Sequence, residues 1–172
     1  MKPAPQIVHL TLDDHLAQDI SVAVRNAVQQ TFGIEVVTGP SETGEGMVSL
    51  VGDVSGVIGM AQHDLEGTLI LCMTYETVRD ILPQVVGRNM SITHEMAIDA
   101  VSEITNMVFG QIKNALGQRG YHLKLGIPCV VSGKGHFVSQ FHRGKYMVVP
   151  FHIDGQLFQV YVALHTDKIR SV

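Results

Sequence analysis

At 172 residues, with 45% hydrophobic and 16% charged side chains, the chain is too apolar for disorder and long enough to bury a core unaided; one domain over 1–172 is expected. The net charge of −4 hides an asymmetry: residues 1–100 carry 4 basic and 13 acidic side chains, residues 101–172 carry 8 and 3. The basic residues Lys113, Arg119, Lys124, Lys134, Arg143 and Lys145 are scattered, without a run or interleaved aromatics, which argues against a nucleic-acid partner. Apolar runs such as 147–151 fall far short of the ~20 residues that span a bilayer, and MKPAPQIVHL lacks a signal-peptide core. No membrane partner and a cytoplasmic location are expected.

From Asp13 to Phe32, the residues Leu16, Ile20, Val24, Ala27, Val28 and Phe32 recur at helical steps, and Gly33 ends the pattern. IEVVTG reads as a strand and PSETGEG as a polar loop. MVSLVGDVSGVIGMAQ has β-branched residues on both sides of a Gly/Asp/Ser cluster, which predicts a hairpin there. GTLILCMTY is a further strand, after which Thr74 can cap a helix from Tyr75 to about Val86, with Pro83 counting against it and Gly87 stopping it. Ser91 or Thr93 can cap a longer helix from His94 to about Leu116. The rest reads as strands: YHLKLGIPCVVSG, HFVSQFH, KYMVVPFHI and LFQVYVAL, with turns at GKG, RGK and DGQ. The order predicts an α+β fold of long helices packed on an antiparallel sheet. A faint two-part repeat is visible, since AVRNAVQQTFGIEVV and ITNMVFGQIKNALGQRGYHLKL are both helix, glycine, strand.

Cys72 and Cys129 have no CxxC pairing and read as reduced, buried, small hydrophobes. The nine histidines form no HExxH pair or other ligand cluster, so no metal site is expected. SGKGH does not fit a GxxxxGK[ST] frame, and no GxSxG elbow exists, which leaves nucleophilic catalysis without a candidate. Met96 and Met107 read as filling for the core or an interface.

The long helix holds the informative pattern. At 100° per residue, Ala97, Val101, Ile104, Val108, Ile112 and Ala115 share one arc and must face the core. Asp99, Glu103, Asn106 and Gly110 fall on the other side at i, i+4, i+7 and i+11, open to solvent or a partner. Gly110 leaves a bare patch there, at about 1 kcal/mol relative to alanine.

EITNMVFG, in a helix that follows two strands and a shorter helix and leads through LGIP into a strand run, resembles the CheX members of the CheC, CheX and FliY phosphatase family. The family motif places an acidic residue or Ser four residues before Glu, Asn three after it, and Pro some two dozen further on; Asp99, Glu103, Asn106 and Pro128 match. The first helix has Asn26 but Ala23 where a second Glu would stand, so one site per chain is expected. The resemblance implies hydrolysis of the aspartyl phosphate of a CheY-like receiver domain. The receiver would bring its own divalent metal (Mg), and this chain would need no cofactor. Asn106 would hold a water in line with phosphorus, Glu103 would dock the partner through a lysine, and Asp99 and Gly110 would form the rim. Complementing the positive end of the helix is an alternative role for Asp99. The family fold also serves in flagellar switch proteins, so a non-catalytic receiver-binding adaptor is the alternative function. The resemblance further implies a homodimer, and KYMVVPFHIDGQLFQVYVAL is the expected pairing edge.

Overall fold

The structure, a computed structural model, describes residues 10–46, 49–62, 65–87, 89–136 and 144–166. In chain order the elements are α1 (Asp14–Phe32), β1 (Val37–Thr38), β2 (Glu42–Glu45), β3 (Val54–Gln62), β4 (Leu65–Met73), α2 (Tyr75–Val86), α3 (His94–Gln118), β5 (Lys124–Leu125), β6 (Cys129–Ser132), β7 (Lys145–Ile153) and β8 (Gln156–Thr166). The strands form one antiparallel sheet in the order β1-β7-β8-β4-β3-β5, with β2 also on β7 and β6 also on β3. This is the α+β arrangement the element order predicts.

Each helix starts where a side chain satisfies an orphan N–H. The Asp13 carboxylate accepts from the Leu16 N–H at 3.0 Å, and Thr74 does the same for Thr77 at 3.0 Å. Thr93, rather than Ser91, caps α3 by accepting from the Met96 N–H at 3.3 Å. Gly33 ends α1 in the left-handed region, at φ 68°, and donates its N–H to Gln29. Helix α2 runs on through Pro83 to Val86, and the Gly87 N–H donates to the Pro83 carbonyl at 3.1 Å.

Four expectations need correction. The hairpin predicted around Gly52–Ser55 lies further on: Val54–Gln62 is one unbroken strand, folded back on β4 from Gln62↔Leu65 to Val54↔Met73. Its glycines signal a turn in sequence but sit inside the strand, where one of them makes room for a helix. The second correction concerns PSETGEG, whose residues Glu42–Glu45 pair with β7 although they read as loop, because an edge strand with exposed side chains needs no apolar alternation. IEVVTG in turn pairs only over Val37–Thr38, since Ile34 and Val36 bury against the helices instead. Third, KYMVVPFHIDGQLFQVYVAL is not an edge. Strand β8 lies between β4 and β7, and β7 between β8 and the short β1 and β2, so a dimer would have to use another surface. The two strands join at Asp154 and Gly155, both at positive φ (48° and 82°), the geometry of a two-residue hairpin turn. Fourth, Cys129 is exposed on β6, an edge strand, while Cys72 is buried in the central β4. Burial pushes the Cys72 thiol up to about 11. Of YHLKLGIPCVVSG only Lys124–Leu125 and Cys129–Ser132 are strand; HFVSQFH lies almost wholly outside the described residues.

The central strands are buried on both faces, which explains why β4 reads as a continuous apolar run rather than an alternation. Leu69, Leu71, Met73, Val160, Val162, Met147, Val149 and Phe151 join the helices in the main core. On the opposite face Ile70, Cys72, Val148, Tyr161 and Ala163 pack with Leu50. The Tyr161 hydroxyl accepts from the Val51 N–H at 3.2 Å and donates to Gln159, pinning the covering segment. No helix among the described residues is long and apolar enough to cross a membrane.

The Asp13 cap carries a pH dependence. The Thr11 hydroxyl first, then the Leu16 N–H, hold its carboxyl below the ordinary value of 3.8. The folded state therefore binds the proton less readily than the unfolded chain, so the cap's contribution is complete above the ordinary value and is lost as pH falls below it and through the lower folded one. Asp13→Ala should lower stability by about 1 kcal/mol at neutral pH. In urea unfolding the deficit should shrink as the buffer is taken to about pH 3.

Candidate functional site

Helix α3 is 25 residues long and lies against both α1 and the sheet. Contact on two sides buries more of it than a single face would. Ala97, Val101, Ile104, Val108 and Ile112 are buried as their spacing predicts, and Thr105, Phe109 and Leu116 extend the arc on the sheet side. Ala115, expected in the core, is only half-buried. Three contacts fix the α1 side: the Thr31 hydroxyl lies 2.9 Å from the Met107 sulfur, Gln111 donates to Gln30 at 3.2 Å, and Arg119 pairs with Asp19 at 2.6 Å. Their spacing shows that the two helices run antiparallel. The Asp19 hydrogen bond raises the Arg119 pKa further above its ordinary value.

What remains outward is a narrow strip. Asp99, Glu103 and Asn106 are exposed and Gly110 is half-buried, so the four predicted residues do share the open side of the helix. A Cβ built on Gly110 meets nothing within 4 Å, so the bare patch is open space rather than a close packing contact. The helix-end role does not fall to Asp99, which is well beyond the first turn; Glu95 occupies that place. Its carboxyl is held below the ordinary value by its own backbone N–H and then by the Thr93 hydroxyl.

Helix α3 also meets α2 and β6, the strand that follows the loop carrying Pro128. Thr105 packs over Gly56 of β3, while Gly56 pairs with Val130 and Val57 with Cys129. The chain enters β6 from Ile127 and Pro128, at the end of β6 that pairs with Val57. Ile127, in the loop before β6, is 93% exposed, a large apolar side chain open to solvent or a partner. Sequence periodicity misses both Ile127 and Thr105, because one lies in a loop and the other reads as polar.

The strip lies on the exposed side of α3. A separate hollow of about 660 Å³ opens at the N-termini of α2 and α3, between Asp53, Tyr75, Arg79, His94 and Lys134, and includes none of the four strip residues. Among the described residues no group of three His, Cys, Asp or Glu side chains is placed to hold a metal ion. A carboxylate and a carboxamide, one turn apart on a rigid helix, can bind a cation and orient a water on a partner that brings its own reactive group.

The family described as chemotaxis phosphatase CheX matches residues 46–152, more than half of the chain, including all of α3 and Pro128. The chain is 26% identical over 149 residues to the CheY-P phosphatase CheX of Thermotoga maritima, covering 83% of this chain and 90% of that protein. It is similar in structure to the chemotaxis protein CheX of Desulfovibrio desulfuricans, with a TM-score of 0.76 and 26% identity over 88% of this chain and 99% of the other. CheX from a CheX–CheY–BeF3–Mg complex of Borrelia burgdorferi shares the fold, with a TM-score of 0.67 and 19% identity over 90% of this chain and 99% of that one. By this match and the helix that carries its motif, the chain belongs to the chemotaxis phosphatase CheX family.

Proposed function

We propose that this chain hydrolyses the aspartyl phosphate of a CheY-like receiver domain, with Asn106 holding the attacking water and Glu103 docking the partner. One observation carries the reading: Glu103 and Asn106 are exposed one turn apart on a helix whose other sides are packed against α1 and the sheet. The activity named for the Thermotoga maritima relative supports it.

An aspartyl phosphate needs a water in line with the scissile bond and neutralised charge around the phosphoryl oxygens. The receiver's own divalent metal supplies neutralisation on the partner's side. What is left for this chain is positional. A carboxamide has no basicity at neutral pH, but its oxygen accepts a hydrogen bond from water and its nitrogen donates, so Asn106 can fix a water without taking its proton. The water oxygen forms the new bond to phosphorus while the bond from phosphorus to the aspartyl oxygen breaks. The aspartate leaves as a carboxylate, and the proton stays with the inorganic phosphate.

Glu103, one turn earlier, can pair with a lysine of the receiver. Exposed, such a pair contributes below about 1 kcal/mol, but it strengthens as the two surfaces exclude water. Asp99 and Gly110 complete the rim, and the open space at Gly110 lets the partner's backbone approach the helix. A shallow strip suits this chemistry because the substrate is a folded protein that carries its phosphoryl group on its own surface.

The test follows label released from Thermotoga maritima CheY that has been phosphorylated with labelled acetyl phosphate and freed of donor, in magnesium buffer. Wild type should shorten the lifetime of the phosphoprotein; binding without shortening would select the non-catalytic adaptor. Asn106→Ala should keep its melting temperature, because the side chain is exposed, and lose at least about 100-fold in kcat. Full activity in the folded variant would remove Asn106 from the mechanism. Glu103→Lys should raise KM by about 10-fold with a smaller change in kcat, and an unchanged KM would exclude docking through that residue. Gly110→Ala should raise stability by up to about 1 kcal/mol in chemical denaturation while weakening receiver binding in the same protein.

A further inference from the structure

Gly56 sits in the middle of β3, paired with Leu71 on one side and Val130 on the other. A glycine inside a strand weakens it, so its presence calls for a reason. Conformation is not that reason, because Gly56 is absent from the positive-φ glycines among the described residues. Space is. A Cβ on Gly56 would fall inside the Thr105 hydroxyl and 2.5 Å from the Thr105 methyl carbon. Thr105 fills the notch that the missing side chain leaves.

Thr105 is an odd occupant. It is 1% exposed, and its Oγ1 has no hydrogen-bond partner among the described residues. An unpaired buried hydroxyl opposes folding, so what holds the residue there is the shape of the branched side chain in the notch. On the helix Thr105 immediately precedes Asn106 and lies roughly opposite Glu103, about 160° around the axis. The notch therefore seats the helix on the side away from Glu103, about 100° around the axis from Asn106.

We propose that Gly56 and Thr105 are a positioning pair that sets the height of α3 over the sheet and, through it, the reach of Asn106 toward the phosphoryl group. The proposal rests on the reading of Asn106 given above. Raising the helix by the depth of one methyl group displaces the carboxamide on the scale of 1 Å, and in-line attack tolerates little error. Docking tolerates more, since a long glutamate side chain on a surface can adjust its rotamer. The effect belongs in kcat rather than KM.

The experiment measures kcat and KM on labelled Thermotoga maritima CheY-P for Gly56→Ala, Thr105→Ala and Thr105→Val, each also in the Asn106→Ala background. Gly56→Ala overfills the notch and Thr105→Ala empties it; both should lower kcat by about 10-fold or more with KM within about 2-fold. Thr105→Val keeps the branched shape and should retain wild-type kcat. In the Asn106→Ala background none of the three should lower activity further. Where Gly56→Ala does not fold, Thr105→Ala decides alone. Wild-type kcat in folded Thr105→Ala, or the same fold-loss with and without Asn106, overturns the positioning role while leaving Asn106 in place. Full activity in Asn106→Ala itself overturns the earlier reading, and this one with it.

Discussion

Helix α3 is wedged between α1 and the sheet, and the chemistry available to the chain depends on that wedge. Thr31 against Met107 and Asp19 with Arg119 hold one side, while Thr105 over Gly56 holds the other. A helix packed on one face can roll. One packed on two sides has its outward strip fixed in direction, and groups fixed by packing keep their geometry when a partner arrives. Glu103 and Asn106 are exposed, so their placement comes from buried neighbours.

The sheet supplies the rigidity behind the wedge. Its central strands β4 and β8 are buried on both faces, by the helices on one and by the segment around Leu50 on the other. Such a sheet resists bending more than a half-solvated one, and it gives α3 a firm floor. The outer strands β1, β2, β5 and β6 are short and finish the sheet, while the long central strands carry most of its core.

The strip differs from an enclosed active site in a way that fits a protein substrate. Small substrates need a concave pocket that strips them of water. A receiver domain that carries its phosphoryl group and metal needs only a complementary surface and one well-placed polar side chain. The exposed Ile127 stands in the loop that leads into β6, and β6 pairs with the same strand that seats the helix.

Local sequence determined the helices, their caps and the identity of the strip. Hydrophobic period and N-cap chemistry act over a few residues, so Thr74, Gly33 and the alternation of faces along α3 are legible without coordinates. Glu103 and Asn106 share a side for the same local reason, since residues three apart on a helix are neighbours. Strand order was not legible. The C-terminal strands are the most apolar and read as an edge, but they are apolar because they are central, and only pairing with β4 and β2 reveals this. Glycine was the other blind spot: Gly56 carries the same letter as a turn glycine, and its meaning lies in Thr105, 49 positions away. Contacts of that separation depend on how elements stack, which no local pattern encodes; the sequence determined which residues face outward, and the tertiary structure decided what holds them there.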